Sequence, residues 1–122
     1  MSTPLELVFE LGGSFPIDTA AVGRSILAYL DHDEVAARVG VERAAALRPT
    51  LHEIREAHGV ALSKGEASPY MQSLAAVIRS RSGALVAAIG VGGANLGEEL
   101  DYESSLAAQL RRSTTVIGQQ LP

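Results

Sequence analysis

The sequence predicts an α+β domain in which a mostly antiparallel sheet is flanked by helices. Three observations carry that expectation. Two apolar stretches, MQSLAAVIRS and ALVAAIGVGG, stand back to back across Ser82-Gly83, as the arms of a hairpin do. A long segment at the end of the chain carries Leu106, Leu110, Ile117 and Leu121 at helical spacing. The elements run strand, helices, strands, helix, which is the order of an α+β domain and not of a doubly wound one.

In chain order, residues 5–11, LELVFEL, partly alternate and read as a strand ending at Gly12-Gly13. SFPIDTAAVGRSILAYL follows as a helix, with Asp18 or Thr19 as N-cap and Val22, Ile26, Leu27 and Leu30 on one face. Residues 31–34 break it. EVAARVGVERAAAL then gives one or two short helices interrupted at Gly40. Pro49 suits the first turn of a further helix, PTLHEIREAHG, with Gly59 as its C-terminal cap. VALSKGE leads into a loop through Ser68-Pro69, and the hairpin comes next. Both of its arms are apolar on two faces over much of their length, which suggests a covered, central place in the sheet. The last helix covers about residues 100–120.

Composition excludes several function classes. At 122 residues the chain reads as one domain, residues 1–122, with 47% hydrophobic and 20% charged side chains, as in an ordinary globular protein. Its formal charge of −4 supplies no concentrated cationic surface, so this chain by itself is not expected to bind nucleic acid. It has no cysteine, hence no disulfide, thiolate nucleophile or thiolate metal site. The N-terminus lacks the basic region of a signal peptide. The longest apolar run, residues 84–91, is far below the roughly 20 residues that cross a bilayer. A cytoplasmic protein with no membrane partner is the expectation.

VAAIGVGGANLG crowds four glycines behind an apolar run, as phosphate-binding loops do. A dinucleotide loop places its glycines between a strand and a helix with further strands downstream. Here Gly90, Gly92 and Gly93 end the last strand, and the third motif position is Asn95. Gly97-Glu98-Glu99 stands where a P-loop needs Gly-Lys-Ser or Gly-Lys-Thr, and its carboxylates repel phosphate. The glycines are better read as ending a strand and turning the chain toward a helix.

GGSFPIDTAAVGRSILAYL is similar to the Gly-x-x-x-Pro-(apolar)-His-x-x-Ala-x-Gly-Lys-x-x-Leu-Ala segment in the effector-binding domain of IclR-type transcriptional regulators. Gly12, Pro16, Ile17, Ala21, Gly23, Leu27 and Ala28 fill its places. LHEIREAHGVALSKGE resembles that family's Leu-x-x-(apolar)-Arg-x-x-Gly-Tyr-Ala-x-x-x-x-Glu through Leu51, Ile54, Arg55, Gly59, Ala61 and Glu66. LAAVIRSRSGALVAAIGVGGA resembles its paired strands, and the three blocks are collinear over nearly the whole chain. The resemblance implies a profilin- or GAF-like domain that binds a small organic effector, often a carboxylate, and that dimerises. It also implies that the family's winged helix-turn-helix domain and first sheet strands precede this point, and that DNA is read elsewhere.

By the same resemblance, the backbone at Ala21 and Val22, the side chains of Ser63 and Ser73, and the strand positions Gly90 and Gly92 line the effector cavity. The start of the first helix offers unpaired N–H groups to an anion. Some family positions are filled differently: Asp18 stands for the usual His, Arg24 for Lys, Val77 for Pro, and AALRPT is a shortened form of the Thr-rich loop. Gly90 and Gly92 replace hydroxyl-bearing residues, which removes donors and leaves space. A widened pocket suits an effector larger or less acidic than a two- or three-carbon acid.

Other constellations carry less. Asp31-His32-Asp33-Glu34 has metal-ligand composition, yet four consecutive side chains do not converge on one ion. His52 and His58 do not share a helical face. Ser25, Ser63 and Ser73 lack any Gly-x-Ser-x-Gly context, so no catalytic residue, metal or cofactor is expected. Arg79-Ser80-Arg81 and Arg111-Arg112 read as solvated basic faces. LELVFEL, cut off from preceding strands, would leave a sheet edge open, and such edges recruit partners; a homo-oligomer is expected. The alternative function is an interaction module that keeps the fold and binds no ligand.

Overall fold

A methyl group cannot accept a hydrogen bond, and the first helix starts on one. In the computed structural model, which describes residues 17–66 and 70–122, α1 spans Ala21–Leu27 and its N-cap is Ala20. Neither Asp18 nor Thr19 caps it. Asp18 is drawn instead to Arg43, whose Nε donates to Oδ2 at 2.7 Å, a charge-assisted bond that outcompetes a cap. A side chain at Gly23 would collide with the carbonyl of Ile17, so this glycine lets the incoming segment cross the helix closely. The buried side of α1 carries Ala21, Gly23, Arg24, Ser25 and Leu27, whereas Val22, expected inside, is 38% exposed.

Asp31 caps α2 (His32–Val39), its carboxylate accepting from the Glu34 amide. The expected interruption at Gly40 is present, at φ +92°, and α3 follows as Val41–Glu56. Pro49 does not begin a helix; it lies inside α3. Its missing N–H and its ring disfavour that place by about 3 kcal/mol. The override comes from packing: Ala44, Leu47, Leu51 and Ile54 form one buried stripe running past the proline. Past the end of α3 two successive residues take positive φ, His58 at +58° and the expected Gly59 at +91°. The His58 amide donates to Arg55 and the Gly59 amide to Ile54, which closes the last turn.

Residues 61–64, expected to lead into a loop, are a strand. β1 (Ala61–Lys64), β2 (Gln72–Arg79) and β3 (Leu85–Gly93) form an antiparallel sheet in the order β1-β2-β3. The hairpin forms as expected, but only β2 is covered, with residues 74–78 buried. β3 is largely exposed and ends the sheet among the described residues. The expected strand at residues 5–11 lies outside them.

Gly90 and Gly92 sit within β3 rather than ending it. A short 3-10 helix (Gly97–Glu99) comes next, and α4 spans Ser105–Gln119, starting later than expected. Two side chains define that start. Ser104 accepts from the Ala107 amide, and the Glu99 carboxylate accepts from the Leu106 amide at 2.7 Å. The buried side of α4 is Ala107, Leu110, Thr114 and Gly118, not the expected stripe of larger residues; Ile117 is 38% exposed. Small residues win because α4 lies close on β2: a side chain at Gly118 would strike the Arg79 carbonyl.

The sheet thus separates two apolar clusters. α1 packs on the face that carries Ala61 and Ala75, and α2 and α3 complete the cluster on that side. α4 packs on the face that carries Leu74 and Ala76.

Candidate functional site

Strand register brings four of the expected site residues into adjacent rows. Ser63, Ser73 and Gly92 are direct partners across β1, β2 and β3, and Ala61, Ala75 and Gly90 form the next row on the same face. The first turn of α1 lies over these rows: a Cβ added at Gly90 would sit 2.6 Å from Cγ2 of Val22. Ala21 precedes Val22 with 1% exposure, inside the core cluster. All six residues expected to line a cavity therefore gather around the start of α1.

Their chemical states differ. Ser63 is buried, and its hydroxyl stands 2.9 Å from the Thr19 carbonyl and 3.2 Å from the Glu66 carboxylate. One hydroxyl has one proton, so both acceptors already compete for it. Ser73 is half-buried and makes no side-chain hydrogen bond among the described residues. Gly92 has room, since an added Cβ would meet only ordinary contacts at 3.6 to 3.8 Å. Gly90 has none, because Val22 occupies the space. A methyl group would fit at Gly92 and not at Gly90, so the two glycines expected to widen a pocket are not equivalent.

Two residues with roles here were not read as site residues in the sequence. Arg24 is 9% exposed; its Nε donates to the Asp18 carbonyl at 2.8 Å, and its Nη1 lies 3.5 Å from Glu66. Burial pushes the Glu66 carboxyl upward, but the Glu66 and Lys64 amides, the Arg24 charge and the Ser63 hydroxyl outweigh it and hold the group below its ordinary range. The anion beside Ser63 is thus the chain's own. α1, with seven residues, contributes only a weak dipole there. An arginine among small buried residues signals a hidden partner, yet that partner lies 42 positions away and no local pattern names it.

Arg24 and Glu66 also border a cavity of about 460 Å³ that reaches Glu53, Lys64, Gln72 and Tyr102. Burial, reinforced by the Glu53 charge and opposed by Arg24, raises the Tyr102 phenol, which stays neutral and able to donate. Among the described residues, no group of three or more His, Cys, Asp or Glu side chains is placed to hold a metal ion. No described helix is long and apolar enough to cross a membrane.

Comparison with known proteins places this arrangement. RHA06195 of Rhodococcus sp. RHA1 superposes with a TM-score of 0.77 at 26% identity, covering 97% of this chain and 52% of that one. HmgR of Pseudomonas aeruginosa gives 0.80 at 22% identity, covering 98% and 51%. A double mutant of the inducer-binding domain of the PobR transcription factor from Acinetobacter, in complex with 3-hydroxybenzoic acid, gives 0.77 at 16% identity, covering 98% and 78%. The chain spans about half the length of the first two. A search of curated proteins finds no match. The sequence model described as bacterial transcriptional regulator IclR C-terminal matches residues 1–119. An α+β domain with an antiparallel sheet, matched over nearly its whole length, belongs to the C-terminal domain family of IclR-type transcriptional regulators.

Proposed function

We propose that this domain binds a small organic effector on the sheet face under α1, through Ala21, Val22, Ser63, Ser73, Gly90 and Gly92. In this reading it works as a dimer whose arrangement the effector biases, and a DNA-binding part of the regulator reports the change. The observation that carries the reading is the row Ser63, Ser73, Gly92, in which the Ser73 hydroxyl makes no hydrogen bond among the described residues and stands beside a glycine with room for a methyl group. The complex of PobR with 3-hydroxybenzoic acid, in a domain of the same fold, supports an organic acid or a similar molecule as ligand class.

Electrostatics narrows that class. Glu66 sits at the Ser63 end of the row, so a short acid lodged there would face a carboxylate already paired with Arg24. A larger body, aromatic or branched, with one polar group on Ser73 and its charge held away from Glu66, fits better. The reading assigns no catalytic step.

Thermal unfolding across a panel of aromatic and short acids tests it. Aromatic members raise the unfolding temperature, and Gly92→Val, which adds bulk beside Ser73, abolishes the rise. Strong stabilisation by a two- or three-carbon acid overturns the ligand class. One observation favours the second reading, an interaction module without a ligand: Val22 fills the space at Gly90. Silence across the whole panel from a persistent dimer would select that reading.

A further inference from the structure

A groove of about 590 Å³ opens between the end of α3, the β2–β3 turn and the second half of α4. Four of the chain's 10 Lys and Arg residues line it, Arg55, Arg79, Arg81 and Arg111, with His58 beside them, and no Asp or Glu among the described residues does. In a chain of net charge −4 this is a local inversion of sign. It lies at the opposite end of β2 from Ser73, about 20 Å along the strand.

The guanidinium groups are held by backbone rather than by acids. Arg55 donates from Nη1 to the Ala28 carbonyl at 2.9 Å. Arg79 donates from Nε to the Gly83 carbonyl at 3.2 Å, and its guanidinium lies 5.1 Å from the centre of the Tyr29 ring. Arg81 directs Nε to the Leu121 carbonyl at 3.4 Å. Each guanidinium has five N–H donors, so these bonds leave most of them open. None of the four makes an ion pair among the described residues. A helix dipole accounts for Arg55 in the last turn of α3. It does not account for Arg79 and Arg81, at the end of a strand and in its turn.

Like charges gathered without counter-charge repel one another, and a bound anion relieves that repulsion. Guanidinium forks match phosphate and carboxylate oxygens in pairs. Forks that line one groove from three elements suit a ligand with more than one anionic group. We propose that this groove binds a small polyanion, a molecule with two or more phosphate or carboxylate groups, independently of the face under α1.

Calorimetric titration at fixed ionic strength tests the assignment, with pyrophosphate and citrate as probes and orthophosphate and acetate as single-group controls. The multivalent probes bind and the controls bind much more weakly. Preference for pyrophosphate assigns phosphate chemistry, and preference for citrate assigns carboxylates. The double substitution R81Q/R111Q weakens binding roughly tenfold or more, without lowering the unfolding temperature of the free protein. R111Q alone serves the same purpose if the pair does not fold. Absence of binding by either probe, or affinity unchanged in these variants, overturns the proposal. A polyglutamate peptide that binds more tightly than both probes overturns it in favour of an acidic protein segment.

Discussion

Glu66 is a carboxylate whose ionised form the fold prefers, and the consequence for stability has a definite sign. Its folded pKa lies below the ordinary value of 4.5, so its contribution is complete above that value and is lost as pH falls through the lowered one. Acid titration of stability between about pH 5 and 3 should show this loss, and Glu66→Gln should remove that part of the profile. An unchanged profile in the variant would mean that Arg24 and Ser63 do not hold the charge. The two strand glycines make a second contrast. Gly90→Ala forces Val22 aside and should destabilise by about 1–3 kcal/mol in urea unfolding, whereas Gly92→Ala should stay within about 0.5 kcal/mol. Val22→Ala combined with Gly90→Ala should recover much of the loss; a neutral Gly90→Ala would refute the shared space. Sequence reading found both glycines by resemblance. It could not tell them apart, because the difference rests on one side chain arriving from another element.

Among the elements, α3 departs furthest from its local sequence. Its proline costs one helical hydrogen bond, from the position of Pro49 to Ala45, and stiffens the unfolded chain in partial compensation. Pro49→Ala should therefore raise stability by roughly 1–2 kcal/mol, read from chemical denaturation. A loss would show that the ring itself packs usefully. The hairpin and the break at Gly40 were legible, because each is written in adjacent residues, whereas residues 31–34, read as a break, hold the cap and first turn of α2. The identity of the buried side of α4 was not legible. Large apolar residues at helical spacing suggested one stripe, yet the buried side is Ala107, Leu110, Thr114 and Gly118, and at Gly118 the strand approaches too closely for any side chain. β1 escaped notice for the opposite reason: four residues ending in a lysine carry too little alternation to declare a strand.

Across the whole molecule the fold class and family were legible, since three collinear blocks span the chain. The assembly we propose depends on a surface that composition alone does not locate. β3 ends the described sheet with Val86 at 53% and Val91 at 36% exposure. An apolar strand whose outer edge is unpaired among the described residues is a pairing surface. Light scattering should find a dimer or larger species, and Val86→Lys should shift it toward monomer if β3 forms the contact. A monomer at high concentration in the parent chain would remove the oligomer from the reading. The contact between Val22 and Gly90 reaches further still. Two positions remote in the chain occupy one volume, so any relative that places a methyl or more at the glycine must carry a slimmer residue on the helix. Substitutions at the two sites should accordingly travel together through the lineage.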